Sequence, residues 1–473
     1  MIAIIEIAFR SADLITSFLQ FPSLNGVNVP NNNSLYPTSG RAWATVLILL
    51  LCYILSFIDR QILNLLVGPI RADLNISDTQ MSLLMGLSFA IFYVVCGIPL
   101  GRIADTKNRK GLIGAGVFVW SLMTAACGLA NQYWQFVIFR IGVGAGEAAL
   151  SPAAYSIMAD SFPPEKRATA ISVYSMGIYL GAGIAFLLGG IVVTFASNQG
   201  DTVLPLLGTI RPWQMIFLII GGSGIAFCFV LLALKEPVRK GIGAGISVPV
   251  KDVGAYLLSI RKTVICHNVG FAFLSFASYG ASAWIPTFFI RTHGLTAGEV
   301  GITYGSIVAV AGSLGIVFGG RLADFWARKG HKDANMRVGL LAAVLTLPCN
   351  VVFLLGDLNT VWALMVFNVF TIAMPFGVAP AAIQEVMPNA MRGQASAIYL
   401  FVVTLIGLGI GPTAVALVTD YGFGDDMAIR YSLFIVASVA TSAAIVLLWM
   451  GLKPYRESRL TLEQWGARQP TES

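Results

Sequence analysis

Charge is scarce in this chain. Only 11% of its 473 residues are Asp, Glu, Lys or Arg, against about 25% in a soluble globular domain, which excludes an ordinary water-soluble fold. The six cysteines, Cys52, Cys96, Cys127, Cys228, Cys266 and Cys349, lie inside or at the edge of apolar stretches without the paired spacing of zinc ligands or of a disulfide framework. They read as small core residues. No HExxH, no GxSxG and no Cys/His ligand pair occurs in those stretches, so nothing points to hydrolytic chemistry, a metal or a cofactor. What is abundant is hydrophobic: 56% of residues are apolar and the mean hydropathy is +0.78, the composition of a chain that lives in a bilayer.

A helix that crosses the hydrocarbon needs about 20 mostly apolar residues. Twelve such stretches are predicted, near 43–68, 79–101, 111–131, 134–159, 167–196, 213–234, 263–290, 298–320, 336–356, 360–385, 393–419 and 428–452. Residues 235–262, rich in Gly, Pro and Lys around KEPVRKGIGAGISVPVKD, form the long connection between two sets of six. The predicted organisation is therefore a tail over 1–42, a six-helix bundle over 43–234, a linker over 235–262, a second bundle over 263–452 and a tail over 453–473. The opening MIAIIEIAFRSADLITSFLQF contains Glu6 and has no basic stretch ahead of its apolar run. It predicts a surface amphipathic helix or tail rather than a cleaved signal.

The net charge of +7 and pI near 9.1 are explained by where the cations fall. With both termini on one side, 24 of the 30 Lys and Arg lie on that side, four (Arg71, Arg211, Arg291 and Arg430) on the other, and Arg60 and Arg140 inside spans. Basic residues concentrate in cytoplasmic loops, so both termini are expected to be cytoplasmic and no nucleic-acid partner is needed. Short termini and compact loops predict a bacterial inner membrane.

The chain repeats itself. GRIADTKNRKG, Gly101 to Gly111, recurs as GRLADFWARKG, Gly320 to Gly330, each copy between two apolar stretches. At the same offset of 219, Ser56-Phe57-Ile58-Asp59-Arg60 corresponds to Ser275-Phe276-Ala277-Ser278-Tyr279. At an offset of 225, Asp160-Ser161-Phe162-Pro163 followed by Arg167 corresponds to Glu385-Val386-Met387-Pro388 followed by Arg392. Three matches in order predict two homologous six-helix halves, the mark of a transporter.

On these residues the chain resembles the major facilitator superfamily. The signature loop G-x-x-x-D-R/K-x-G-R-R/K is matched by Gly101, Asp105, Arg109 and Lys110, and again by Gly320, Asp324, Arg328 and Lys329, with departures at Thr106 and Asn108. The fourth-span signature is matched by Arg140-Ile141-Gly142-Val143-Gly144-Ala145-Gly146; the fifth-span antiporter signature is half present, in Gly177, Gly181, Gly189 and Gly190 without a Gly-Pro pair. A narrower resemblance, to the spinster branch, rests on Asp59-Arg60, Asn108-Arg109-Lys110, Trp120-Ser121-Leu122 and Gly146-Glu147-Ala148. The resemblance implies an all-α fold of two pseudo-symmetric six-helix bundles, a central cavity lined by spans 1, 4, 7 and 10, a monomer, and an amphiphilic substrate of lysophospholipid or sphingoid type.

Four ionisable side chains sit well inside the spans: Asp59, Arg60, Arg140 and Glu147. An ion at mid-bilayer costs at least about 2.5–3.5 kcal/mol, so each is expected to face a cavity or a partner. Arg140 and Glu147 are seven residues apart, two turns along one helix face, too far for a tight mutual pair but suited to one wall. The opposite wall, with Ser278, Tyr279, Asn368 and the aromatic side chains of span 7, is expected to be less polar. The arginines would hold an anionic or zwitterionic head group, while Glu147 and Asp59, on protonation, would release them and couple transport to protons. Asp105, Arg109, Asp160 and Arg167, with their repeat partners Asp324, Arg328, Glu385 and Arg392, are expected to form a cytoplasmic gate. His267 reads as structural. Within transporters, efflux of drugs or organic anions is the alternative; a channel suits the repeat and the central charges less well.

Overall fold

The computed structural model describes residues 36–205, 208–239, 250–388 and 391–468; the amphipathic segment expected at the start of the chain lies outside them. Among the described residues, twelve helices are long and apolar enough to cross a membrane, and are numbered spans 1 to 12: Ser39–Leu65, Asp78–Ala104, Arg109–Cys127, Tyr133–Ser161, Val173–Phe195, Pro212–Leu231, Arg261–His293, Ala297–Arg328, Ala334–Leu354, Leu358–Glu385, Arg392–Phe423 and Asp426–Leu462. Helices satisfy every backbone group within the segment, which lipid cannot do for them. Among the described residues the strands are confined to one hairpin in the loop after span 5, Thr202–Leu204 antiparallel to Gly208–Ile210. Twelve crossings return the chain to the side where it began. That side is the near end, and the other the far end.

Spans 1–6 and spans 7–12 each pack around their own core. Phe89, Val117, Trp120 and Phe162 fill the first near its near end, and Phe271, Met336, Tyr399 and Leu448 the second. Large apolar side chains also face outward, such as Phe229 and Trp449, as a lipid-facing belt requires. The last helix continues past its apolar run to Arg468. Tyr455 fixes this extension by donating its hydroxyl to the Ala382 carbonyl and to Glu385, both at 2.8 Å.

Spans 4 and 10 each break in mid-membrane at equivalent places of the repeat. Span 4 is helical over Tyr133–Glu147 and Leu150–Ser161, span 10 over Leu358–Ala373 and Pro375–Glu385. Pro152 and Pro375 have no N–H to continue the ladder, so the turn ahead of each loosens and Glu147 sits at the first break. Spans 2, 8 and 11 carry π-helical turns at Leu83–Leu87, Val308–Gly312, Thr404–Ile410 and Val418–Phe423.

The halves touch along the far portions of spans 2 and 11 and of spans 5 and 8. A Cβ on Gly301 would stand 2.6 Å from the Phe186 carbonyl oxygen and 2.7 Å from the Gly190 Cα. Gly86 lies equally close to the Leu408 carbonyl. Trp284 of span 7 donates its indole N–H to the Pro412 carbonyl at 2.9 Å, pinning span 11 within the second half.

Candidate functional site

The four intramembrane charges come together inside the first half, on spans 1 and 4. Glu147 is 1% exposed and accepts from Ser56 Oγ at 2.7 Å and from Arg60 Nε at 2.6 Å through the same oxygen, Oε2. The Arg60 guanidinium is boxed by the rings of Phe57, Phe89 and Tyr93, 4.7 to 5.2 Å from each centroid. Arg140 shares the Phe89 face at 5.5 Å and donates to backbone carbonyls, Leu84 at 3.1 Å and Asp59 at 3.4 Å. Leu84 belongs to the π-helical turn of span 2. Three buried atoms of this group have no hydrogen-bond partner: Glu147 Oε1, Asp59 Oδ1 and Arg140 Nη2. Unpaired buried polar atoms are costly, and this charge-balanced set leaves three whose hydrogen-bonding capacity is unused.

A cavity of about 60 Å³ lies between the halves and holds Ser278, Tyr279 and Asn368 in its wall. Its first-half wall includes Phe57, Gln61 and Tyr179. The second-half wall corrects the expectation of a less polar side. Thr346, Asn350 and Ser282 line it too; Asn368 donates to Asn350 Oδ1 at 3.3 Å and Thr346 to Thr371 at 2.9 Å. No lining side chain is charged. Asp59, Arg60, Arg140 and Glu147 are not among the lining residues; Phe57, which is, has the Arg60 guanidinium 5.2 Å from its ring centroid.

Among the described residues, the ion pairs that cross between the halves are at the far end. Asp78, fully buried at the start of span 2, receives both Nη atoms of Arg291 from the second half, at 2.6 and 2.8 Å, and Arg71 at 3.0 Å. Arg71 also reaches across to Asp426 at 2.5 Å, and Asp420 accepts both the backbone N–H and the hydroxyl of Thr79 at 2.7 Å. The far end is closed by this network.

The expected near-end gate is arranged differently. Arg109, fully buried, pairs with Asp160 and with Glu236 of the linker at 2.9 Å, and donates to Pro237 O at 2.9 Å. Glu385 pairs with Arg459 at 3.2 Å and accepts from Asn335 at 3.0 Å, whereas Arg392 donates to the Gln384 carbonyl at 3.0 Å. Asp324 and Arg328 are exposed. The side chains of Asp105 and Arg167 lie outside the described residues. Among the described residues, each of these near-end pairs joins groups of the same half, or a half to its linker.

The sequence profile of the Major Facilitator Superfamily matches residues 49–412. The chain belongs to the Major Facilitator Superfamily. Among the members it is similar to is an "MFS-type efflux pump" of Mycolicibacterium smegmatis, 31% identical over 88% of this chain and 94% of that one. "Protein spinster" of Drosophila melanogaster is 24% identical over 80% of this chain and 62% of the fly protein. The crystal structure of a bacterial homologue of the human lysosomal transporter Spinster, inward-facing and unoccupied, superposes with a TM-score of 0.71 at 25% identity, covering 90% of this chain and 99% of that one. The major facilitator fold of two six-helix bundles and the spinster resemblance are therefore established, and the protein is a membrane transporter rather than an enzyme.

Sequence reasoning passed over the far-end network and the role of Asn350. One signal for the former was present. Arg71 and Arg291 are two of only four cations predicted on that side, and they stand 220 residues apart, one residue off the repeat offset. The Asn350–Asn368 contact joins spans 9 and 10 and carried no such signal.

Proposed function

We propose that this transporter works by alternating access, couples to protons through Glu147 and Asp59, and moves an amphiphilic substrate through the cavity between its halves, with the near end cytoplasmic in a bacterial inner membrane and the monomer as the working unit. The observation that carries the coupling is the single-oxygen clamp on Glu147, with Arg60 and Ser56 on Oε2 while Oε1 stays unpaired. A proton on Glu147 removes the charge that holds Arg60 in its aromatic box. The released guanidinium can then swing past Phe57 toward the cavity, where a phosphate or carboxylate head group would meet it as a fork. The substrate and the ionised carboxylates compete for the arginines, so protonation of a carboxylate alters the hold on the substrate, and the reverse.

An amphiphile is supported by the mixed wall, in which Phe57, Phe353 and Phe376 alternate with Asn350, Asn368 and Ser278. The concentration of cations on the near side supports its cytoplasmic placement. Export of a drug or organic anion is a second reading, favoured by the 31% identity to the Mycolicibacterium efflux pump.

Uptake of a labelled lysophospholipid into proteoliposomes, with and without an imposed pH gradient, tests the proposal. Saturable, gradient-driven uptake in the wild type and its loss in Glu147→Gln are expected. Uptake indifferent to gradient and substitution would overturn the coupling. Displacement of the lipid by a short-chain organic anion at equal concentration would favour the efflux reading.

A further inference from the structure

At the near end of the second half, a cavity of about 410 Å³ opens where the loop after span 8 meets the start of span 9 and the extension of span 12. Lys332, Arg337, Lys453 and Arg456 line it, with only Asp333 and Glu457 as counter-charges. Asp333 is 1% exposed, and its carboxylate takes Arg337 Nε at 2.8 Å and Arg456 Nη1 at 2.9 Å. It therefore does not cap the helix that begins at Ala334, which leaves the positive end of that helix's dipole beside the cavity. Each guanidinium is held by one edge and remains 35% to 44% exposed, so its second edge is presented in a fixed orientation.

The surroundings say which anion. On span 12, Val446, Trp449 and Met450 are 52%, 67% and 55% exposed, and with Lys453 they occupy positions i, i+3, i+4 and i+7 of one helix face. On span 9, Val344, 47% exposed, lies two turns from Arg337 on the same face. An exposed apolar stripe on span 12 and the exposed Val344 on span 9 thus lead toward one basic pocket, with Trp449 one turn before Lys453, the level at which tryptophans settle in bilayers.

We propose that this groove binds the phosphate of an anionic phospholipid, with Arg337, Lys453 and Arg456 on the headgroup and the acyl chains along Val344, Val446 and Trp449. A free phosphate would use the same cations but gain nothing from the apolar side chains. The site is separate from the transport cavity and does not depend on the substrate.

The test reconstitutes the full chain in phosphatidylcholine vesicles doped with brominated phosphatidylglycerol or brominated phosphatidylcholine. Trp449 emission is read as the difference between wild type and Trp449→Phe. Brominated phosphatidylglycerol is expected to quench this component at the lower mole fraction. Lys453→Gln is the deciding variant, since among the described residues its side chain makes no hydrogen bond or ion pair and its loss should not disturb Asp333. It should move the phosphatidylglycerol titration about five-fold to higher mole fraction, and Lys251→Gln in the linker should leave it in place. Equal quenching by both lipids, or a titration untouched by Lys453→Gln, overturns the site. Relief of quenching by millimolar inorganic phosphate at constant ionic strength would assign the pocket to free phosphate and overturn the lipid.

Discussion

Arg109 shows what the repeated loop does at the scale of one residue. Its guanidinium bonds to Asp160, Glu236, Ser156 and Pro237, and its own backbone N–H donates to Glu236. Lysine cannot reproduce such a fork, and removing one member of a buried pair costs about 3–5 kcal/mol. Arg109→Gln is accordingly expected to lower the thermal midpoint of the purified protein by several degrees. Glu236 is the pH-sensitive member. Partial burial pushes its pKa up, but hydrogen bonds from the Arg109 side chain and from the backbone N–H groups of Arg109 and Lys110 outweigh this and hold it below the ordinary value of 4.5. Its contribution is therefore fully present above that value and is lost as pH falls through the lowered one. Limited proteolysis of the linker should accelerate in the wild type as pH falls through the lowered pKa of Glu236, and Glu236→Gln should flatten that dependence.

Helices 5 and 8 raise the question at the scale of elements. Their glycines bring two backbones into contact between the halves, and small residues are what permit such approach in a membrane. A methyl group at Gly301 would meet backbone atoms of Phe186 and Gly190 that cannot step aside. Overpacking of this kind costs about 1–3 kcal/mol, paid only by the state in which the far end is closed. Gly301→Ala should shift the population toward far-end opening, seen as faster alkylation of a cysteine placed at Gln61 by an impermeant reagent added from the far side. Gly222→Ala, whose methyl would meet nothing within 4 Å, should not. The π-helical turns of spans 2, 8 and 11 belong to the same argument: a ladder already widened there can be re-registered during rocking.

For the whole molecule, the far-end network is expected to set which side is open. Arg71 and Arg291 are 21% and 13% exposed, but Asp78 between them is wholly buried, and a buried carboxylate stripped of its partners is worth several kcal/mol. Arg71→Gln combined with Arg291→Gln should favour the state open at the far end, with increased labelling at position 61 from that side. Unchanged labelling would mean that glycine packing alone sets the equilibrium. The near-end pairs of Arg109 and Glu385 are expected to affect stability more than this equilibrium, because each joins groups within one half or ties a half to its linker.

The twelve spans and the two halves were legible in the chain itself, because a bilayer punishes every polar residue and so writes its thickness into the pattern of apolar runs. The repeat and its signature loops were legible for the same local reason. Asp59, Arg60, Arg140 and Glu147 stood out as charges where charge is expensive, and the fold does gather them. Their pairing was only half legible: the seven-residue spacing set Arg140 aside as a tight partner of Glu147, but the approach of span 1 to span 4 was needed to bring Arg60 to it. Likewise Asp78, Arg291 and Asp426 look like ordinary loop charges until helices distant in sequence bring them together. The one-dimensional pattern determined which residues enter the membrane, since that depends on each residue's own transfer energy. Which of them meet, and which end of the molecule they close, was decided by packing between distant segments, whose energy no single segment carries.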